Sequence, residues 1–227
     1  MIKKPKNIFA DKATLILRSM IKHPGKKWVM RDFVGGLPIS LGMACEVVQA
    51  MERAGYIERQ KRGAFSYTIL TNKEMLIRDW IKYYDFSLNA FALFYNPDLG
   101  LNKVKSFFKQ RGIENEYALT LHSGANFETS FVKTRNIYLY IGSTIFDKIL
   151  PDIKQQLGLK QLVQGGNIYL IRPHYKNSVF FGNQKKRGFN IVSNLQLYLD
   201  LYNFKPRGAE HAQFLKEQLE LRGLSLD

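Results

Sequence analysis

The fold of the first part of the chain is decided by residues 40–70, SLGMACEVVQAMERAGYIERQKRGAFSYTIL. Ser40 is a preferred helix-capping residue, and Gly55 suits the left-handed turn that ends a helix. Between them, five apolar residues share one helical face: Leu41, Ala44, Val47, Val48 and Met51. Residues 56–60 and 65–70 then have the composition of two strands, and a basic turn at residues 61–64 joins them. The stretch therefore predicts a helix followed by a hairpin with a basic tip.

Two shorter helical patterns precede this stretch. Residues 11–21 carry an apolar stripe that stops near Pro24, and residues 31–34 fit a small helix closed by Gly35 and Gly36. Helix, helix, turn, helix and hairpin in this order are typical of a winged helix-turn-helix, a module that binds duplex DNA. A further helical pattern over residues 72–85 closes the module. The sequence therefore predicts a winged helix-turn-helix DNA-binding domain over residues 1–86.

The winged module also predicts which residues contact DNA. Its third helix would enter the major groove, while the hairpin would grip phosphates. Candidate base or groove contacts are Ser40, Met43, Gln49 and Arg53. Candidate phosphate contacts are Arg59, Lys61 and Arg62. Glu46 and Glu52 lie on the same helix face and would repel phosphate, so a winged module that serves only protein contacts is an alternative.

The charge of the whole chain agrees with a nucleic-acid partner. The 34 Lys and Arg residues outnumber the 19 Asp and Glu residues and give a net charge of +15, and the second part of the chain is basic like the first. No apolar run approaches the roughly 20 residues that span a bilayer, and the Lys-rich start is not followed by a signal-type segment. We therefore expect a cytoplasmic protein without a membrane partner. The single cysteine, Cys45, excludes an internal disulfide.

Strand and helix patterns alternate from residue 87 to residue 227. Predicted strands cover residues 90–95, 117–121, 136–141 and 178–181. Predicted helices cover residues 101–110, 125–131, 145–157, 194–201 and 208–221. Gly165 and Gly166 are typical of a hairpin turn between residues 161–164 and 167–173. The pattern predicts a mixed α/β domain, so that the whole chain belongs to the α+β class.

Few residues of the second part suggest catalysis. Gly142 and Ser143, followed by Asp147 and Asp152, resemble the start of a nucleotidyltransferase site, where paired carboxylates hold magnesium. Asp152 falls within a predicted helix, however, so a strand-to-helix turn is the preferred interpretation. The four histidines lack metal-ligand spacing, and no glycine-rich phosphate loop is present. We predict no catalytic residue, no metal and no cofactor.

Two other functions stay open at this point. One is a nucleic-acid-directed phosphotransferase or processing enzyme that a winged module delivers to its substrate. The other is a replication protein of two winged modules, which the strand-rich second part disfavours. His211, in a polar helix, is expected to face solvent. A basic cluster without an acidic neighbour in the sequence is a candidate contact for nucleic acid or an acidic partner: Lys185, Lys186 and Arg187.

Residues 190–203, NIVSNLQLYLDLYN, and 206–212, PRGAEHA, resemble the closing segment of AbiEi-family antitoxins, in which a Leu-Asp-Leu helix precedes Arg-Gly and a Glu-containing helix. Residues 117–125, YALTLHSGA, resemble the Ala-Leu-Thr strand of that family and the helix after it. The resemblance implies a transcriptional autorepressor and antitoxin of a type IV toxin–antitoxin or abortive-infection system. The protein would bind its own double-stranded operator DNA. Its functional partner would be a nucleotidyltransferase toxin encoded beside it.

The same resemblance adds two candidate residues to the antitoxin or nucleic-acid surface, Asp200 and Arg207. Asp200 is polar within an otherwise apolar segment. We expect its carboxylate to bond Arg207 or a backbone amide.

Overall fold

The computed structural model describes residues 7–60, 63 and 66–226. Backbone contacts divide the chain into two compact units, of which the first ends at Tyr84 and the second is Asp85–Leu226. Helices and strands occur in both units, which confirms the α+β class.

The first unit contains helices around one short hairpin. Its elements are α1 (Thr14–Lys22), α2 (Met30–Gly36), α3 (Leu41–Arg53), β1 (Ile57–Gln60), β2 (Tyr67–Leu70) and α4 (Lys73–Tyr83). The antiparallel strands β1 and β2 pair Ile57 with Leu70. Trp28, just before α2, forms a further antiparallel bridge with Thr68 of β2. The segment before α2 is thereby attached to the hairpin.

The core of the first unit forms where the apolar faces of the helices meet. Ile16, Leu17, Val47 and Trp80 are all fully buried. Four of the five apolar residues predicted for one face of α3 are buried, but Leu41 is 56% exposed. Leu41 therefore lies on the apolar face of α3 but outside the buried core of the first unit.

The second unit is built on a six-stranded sheet within the described residues. Its strands are β3 (Ala90–Phe94), β4 (Tyr117–Leu119), β5 (Ile137–Ile141), β6 (Ile168–Arg172), β7 (Gln184–Lys186) and β8 (Phe189–Ile191). The sheet order is β3-β6-β5-β4-β8-β7, and parallel pairs (β5 with β6, β4 with β8) alternate with antiparallel ones. The sheet is therefore mixed, as predicted.

Helices of the second unit cover this sheet. They are α5 (Leu101–Gln110), α6 (Leu121–Ala125), α7 (Phe146–Gln156), α8 (Asn194–Tyr202) and α9 (Gly208–Leu221). Helix α8 is buried from Asn194 to Leu201 and packs against α6 and α9. Gly124 allows α6 to approach the sheet, because a Cβ at this position would lie 2.9 Å from the backbone of Leu119.

Three predictions for the second unit are wrong. Gly165 and Gly166 do not join a hairpin, because β6 pairs with β3 and β5, which lie far away in the sequence. Residues 178–181 form turns rather than a strand, and the helix predicted at residues 125–131 instead covers Leu121–Ala125. The predicted bounds of α5 and α9 are confirmed, and each helix ends two residues before a glycine with a left-handed φ, Gly112 and Gly223 respectively.

Candidate nucleic-acid interface

Helix α3 carries most of the predicted groove contacts. Ser40 is its N-cap, and the Ser40 hydroxyl accepts a hydrogen bond from the Met43 backbone N–H at 3.2 Å. The helix ends before Gly55, whose φ of 75° lies in the left-handed region. The capping side chain is therefore engaged with its own helix. Gln49 and Arg53 are exposed, whereas Met43 is half-buried.

The acidic residues of α3 affect the predicted phosphate contacts. Arg59, on β1, is half-buried, and its guanidinium lies 3.3 Å from the Glu52 carboxylate. Sequence reasoning placed Glu52 on the recognition face without a partner. The ion pair neutralises this carboxylate, and it also engages the cation that was predicted to contact phosphate. Lys61 and Arg62 lie outside the described residues.

One basic residue beside the hairpin was missed. Lys27 precedes Trp28, which pairs with β2, and the Lys27 ammonium lies 4.9 Å from the centre of the Tyr67 ring. The side chain is exposed. Its neighbour Lys26 instead pairs with Asp32 at 3.5 Å. The signal that would have identified Lys27 is its place in a possible strand next to the hairpin.

The basic cluster of the second unit lies on the β7–β8 hairpin. Lys185 and Arg187 are exposed, and Arg187 occupies the turn with a φ of 51°. Lys186 is half-buried and forms an ion pair with Glu128, whose side chain is only 1% exposed. The cluster has no acidic neighbour in the sequence, but the fold brings Glu128 to it. Glu128 is distant in sequence and close in space, and it also pairs with Arg222 at 3.3 Å.

Asp200 is not a surface residue, which corrects its prediction as part of an interaction surface. Its carboxylate is fully buried and accepts hydrogen bonds from the hydroxyl of Thr120 at 2.5 Å, the hydroxyl of Tyr140 at 3.1 Å and the amide of Gln196 at 2.7 Å. Asp200 thus connects α8 to the sheet. The expected bond to Arg207 is absent from these described contacts, since Arg207 is exposed and its guanidinium pairs with Glu210 at 3.0 Å.

His211 is fully buried, so the prediction that it faces solvent is wrong. Its ring stacks on that of His122 with centroids 5.1 Å apart, and the two Nδ1 atoms are separated by 2.8 Å. The Nε2 atom of His211 lies 2.9 Å from the hydroxyl of Thr129. Burial, followed by the charges of His122 and Arg207, lowers the pKa of His211 from 6.5 to about 4. His211 is therefore neutral at pH 7, and burial lowers the pKa of His122 as well.

The two aspartates considered for magnesium binding are engaged elsewhere. Asp147 pairs with Arg172, and Asp152 lies 3.3 Å from the guanidinium of Arg111. Both aspartates are exposed and face separate partners. Across the described ranges, no group of three or more His, Cys, Asp or Glu side chains is arranged to hold a metal ion. No helix in these ranges is long and apolar enough to cross a membrane.

Comparison with known proteins gives one family. A family model described as a transcriptional regulator, AbiEi antitoxin of a type IV toxin–antitoxin system, matches residues 69–220. The match begins within β2 and ends within α9, so it contains the sheet of the second unit and lies beyond α1, α2 and α3. No curated protein and no solved structure matches the chain.

Proposed function

The chain belongs to the family of AbiEi antitoxins, the transcriptional regulators of type IV toxin–antitoxin systems, and from this premise we propose that it represses its own operon and counters a nucleotidyltransferase toxin. The resemblance drawn from residues 117–125, 190–203 and 206–212 is confirmed by the family match. The family is regulatory. We propose that this chain likewise acts without catalysis, in the cytoplasm, where its operator DNA would lie.

The first unit is proposed to be a winged helix-turn-helix. The observation that carries this proposal is the order of α2, a short turn, α3 and the β1–β2 hairpin, together with the bridge from Trp28 to Thr68. This bridge attaches the segment before α2 to the hairpin as a third strand-like segment. In such a module α3 enters the major groove, and Gln49 and Arg53 reach base edges or the groove walls.

The ion pair between Arg59 and Glu52 determines which basic residues are expected to contribute most to phosphate binding. Because Arg59 is held by Glu52, it reaches a phosphate only if that carboxylate releases or shares it. Lys61 and Arg62 are proposed to contribute more to DNA affinity. Lys27 joins them, because it is exposed beside the hairpin. The sequence alone does not distinguish Arg59, Lys61 and Arg62, because it does not reveal the ion pair of Arg59 with Glu52.

The test is a titration of the full chain with its own upstream DNA and with a scrambled duplex of equal length, at two salt concentrations. A specific regulator prefers its operator by about a thousandfold or more. The Lys61→Ala/Arg62→Ala variant should bind both duplexes more weakly and lower the salt slope by about 0.9 per lost phosphate contact. Arg59→Ala should lower the slope by less than Lys61→Ala does.

A charge-matched control is Lys148→Ala/Lys160→Ala, which removes two exposed cations from the second unit. It should leave the operator preference and the salt slope unchanged. Equal affinity for both duplexes, or an unchanged slope in the Lys61→Ala/Arg62→Ala variant, would contradict the winged-helix assignment. In that case a module for protein contacts becomes the better interpretation of the first unit.

Neutralisation of the toxin is proposed to be a property of the second unit. The Lys61→Ala/Arg62→Ala variant should therefore still rescue the growth of cells that express the toxin, when both genes are driven by promoters that the chain does not regulate. Loss of rescue at equal protein level would refute this division of roles.

The phosphotransferase alternative gains no support, because Asp147 and Asp152 are each paired with an arginine rather than with one another.

A further inference from the structure

A cavity of about 360 Å³ lies in the second unit beside the turn of the β7–β8 hairpin. Its wall is formed by the start of α5, the end of α6, the residues before β5 and the hairpin turn. Arg135, from the segment before β5, and Arg187, from the hairpin turn, both line it. The fold thus brings to one cavity two guanidinium groups that are 52 positions apart in the sequence.

The positive charge of this cavity is not neutralised. Neither Arg135 nor Arg187 forms an ion pair within residues 7–60, 63 and 66–226, and no Asp or Glu belongs to the cavity wall. Glu128, which neutralises the neighbouring Lys186, has a buried carboxylate that is already shared with Arg222. A second concave surface shares Arg135 with the cavity and adds Lys133. Arg135 therefore lines two neighbouring concave surfaces, one with Arg187 and the other with Lys133.

The rest of the wall is suited to an organic group rather than to a bare anion. Leu99, Leu101 and Ile137 supply apolar surface. Asn126 also lines the cavity, and its side-chain amide donates to the Val132 carbonyl oxygen at 2.8 Å. Its Oδ1 atom is buried and accepts no hydrogen bond from the residues that the structure describes. This acceptor is shielded from the cavity, so the apolar side chains are the part of the wall offered to an organic group.

We propose that this cavity binds a nucleoside di- or triphosphate. Arg135 and Arg187 bind the phosphates, since guanidinium groups form paired, charge-assisted hydrogen bonds with phosphate oxygens. The apolar wall contacts the nucleoside. The cavity volume of about 360 Å³ lies within the range of about 300–1,000 Å³ for small-molecule sites. The proposal concerns binding alone, with no transfer step, and goes beyond operator recognition.

The test is isothermal titration of the full chain with GTP, ATP, tripolyphosphate and guanosine as separate probes. The nucleotides should bind with dissociation constants below about 1 mM, tripolyphosphate more weakly, and guanosine not measurably. The Arg135→Gln/Arg187→Gln variant should lose at least about tenfold in nucleotide affinity. Both arginines are exposed, so this variant should fold, and its circular dichroism spectrum and urea midpoint should match those of the parent.

The matched control is Lys148→Gln/Lys160→Gln, which removes the same charge outside the cavity wall and should keep nucleotide affinity within about twofold. Equal nucleotide affinity in the arginine variant and the parent would overturn the proposal. Tripolyphosphate that binds as tightly as GTP would overturn the nucleoside contact. Binding of a short single-stranded RNA together with no binding of any nucleotide would assign the cations to a polymer backbone instead, and would likewise overturn it.

Discussion

Replacing Asp200 by alanine should destabilise the second unit strongly. The carboxylate accepts hydrogen bonds from Thr120, Tyr140 and Gln196, and alanine would leave all three donors in a fully buried site. Each unsatisfied buried polar group costs about 1–3 kcal/mol, whereas removal of the buried carboxyl group returns part of its own desolvation cost. The net loss in the free energy of unfolding should be about 3–5 kcal/mol. Asp200→Asn should lose only about 1–2 kcal/mol, because its oxygen keeps two donors and the Thr120 hydroxyl is able to accept from its amide.

Urea unfolding monitored by circular dichroism measures this loss. With a slope near 2 kcal/mol per molar urea, the midpoint of the affected transition should fall by about 1.5–2.5 M in Asp200→Ala. Both tryptophans of the chain, Trp28 and Trp80, lie in the first unit, so the transition seen by their fluorescence serves as an internal control. A loss below about 1 kcal/mol in Asp200→Ala would refute the reasoning. Equal losses in the alanine and asparagine variants would show that charge, rather than the set of donors, governs this position.

Two more predictions concern the packing of the second unit. Acidification should destabilise the second unit, because burial and then the charge of His122 lower the pKa of His211 to about 4. The stability present above pH 6.5 is therefore lost as the pH falls towards about 4, by up to about 3 kcal/mol. Urea titrations at several pH values measure this loss, and His211→Gln should flatten the pH dependence. Gly208→Ala should lower the free energy of unfolding by about 1–3 kcal/mol in thermal unfolding, because its Cβ would overlap the carbonyl oxygen of Leu201. Gly42→Ala, in open space on α3, should be neutral or stabilising. A larger loss in Gly42→Ala than in Gly208→Ala would contradict the packing described.

Local patterns predicted most of the helices, although the one expected at residues 125–131 lies at Leu121–Ala125. Ser40 and Gly55 mark the ends of α3 through a hydrogen bond and a backbone angle that depend on neighbouring residues only, and Gly112 and Gly223 mark the ends of α5 and α9 in the same way as Gly55. The pairing of the strands was harder to predict from the sequence. The partners of β6 are β3 and β5, so nothing near Gly165 and Gly166 in the sequence reveals that no hairpin forms there.

The candidate site was predictable only where it depended on residue type. Exposed Gln49 and Arg53 follow from the helical face of α3. Three features depend instead on long-range contacts: the Arg59–Glu52 pair, the Lys186–Glu128 pair and the burial of Asp200. The sequence does not reveal whether a polar residue in an apolar segment is buried or exposed. This depends on the hydrogen-bond partners that the fold brings to it.

The order of strands in the second unit also determines when each half of the protein is able to fold during synthesis. All elements of the first unit, up to Tyr83, emerge from the ribosome early, whereas β4 must wait for β8 at Phe189–Ile191 and β3 must wait for β6. About 100 residues separate the end of the first unit from β8, which at about 5–20 residues per second takes about 5–20 s. A nascent chain therefore carries a folded first unit for several seconds before the sheet of the second unit is complete.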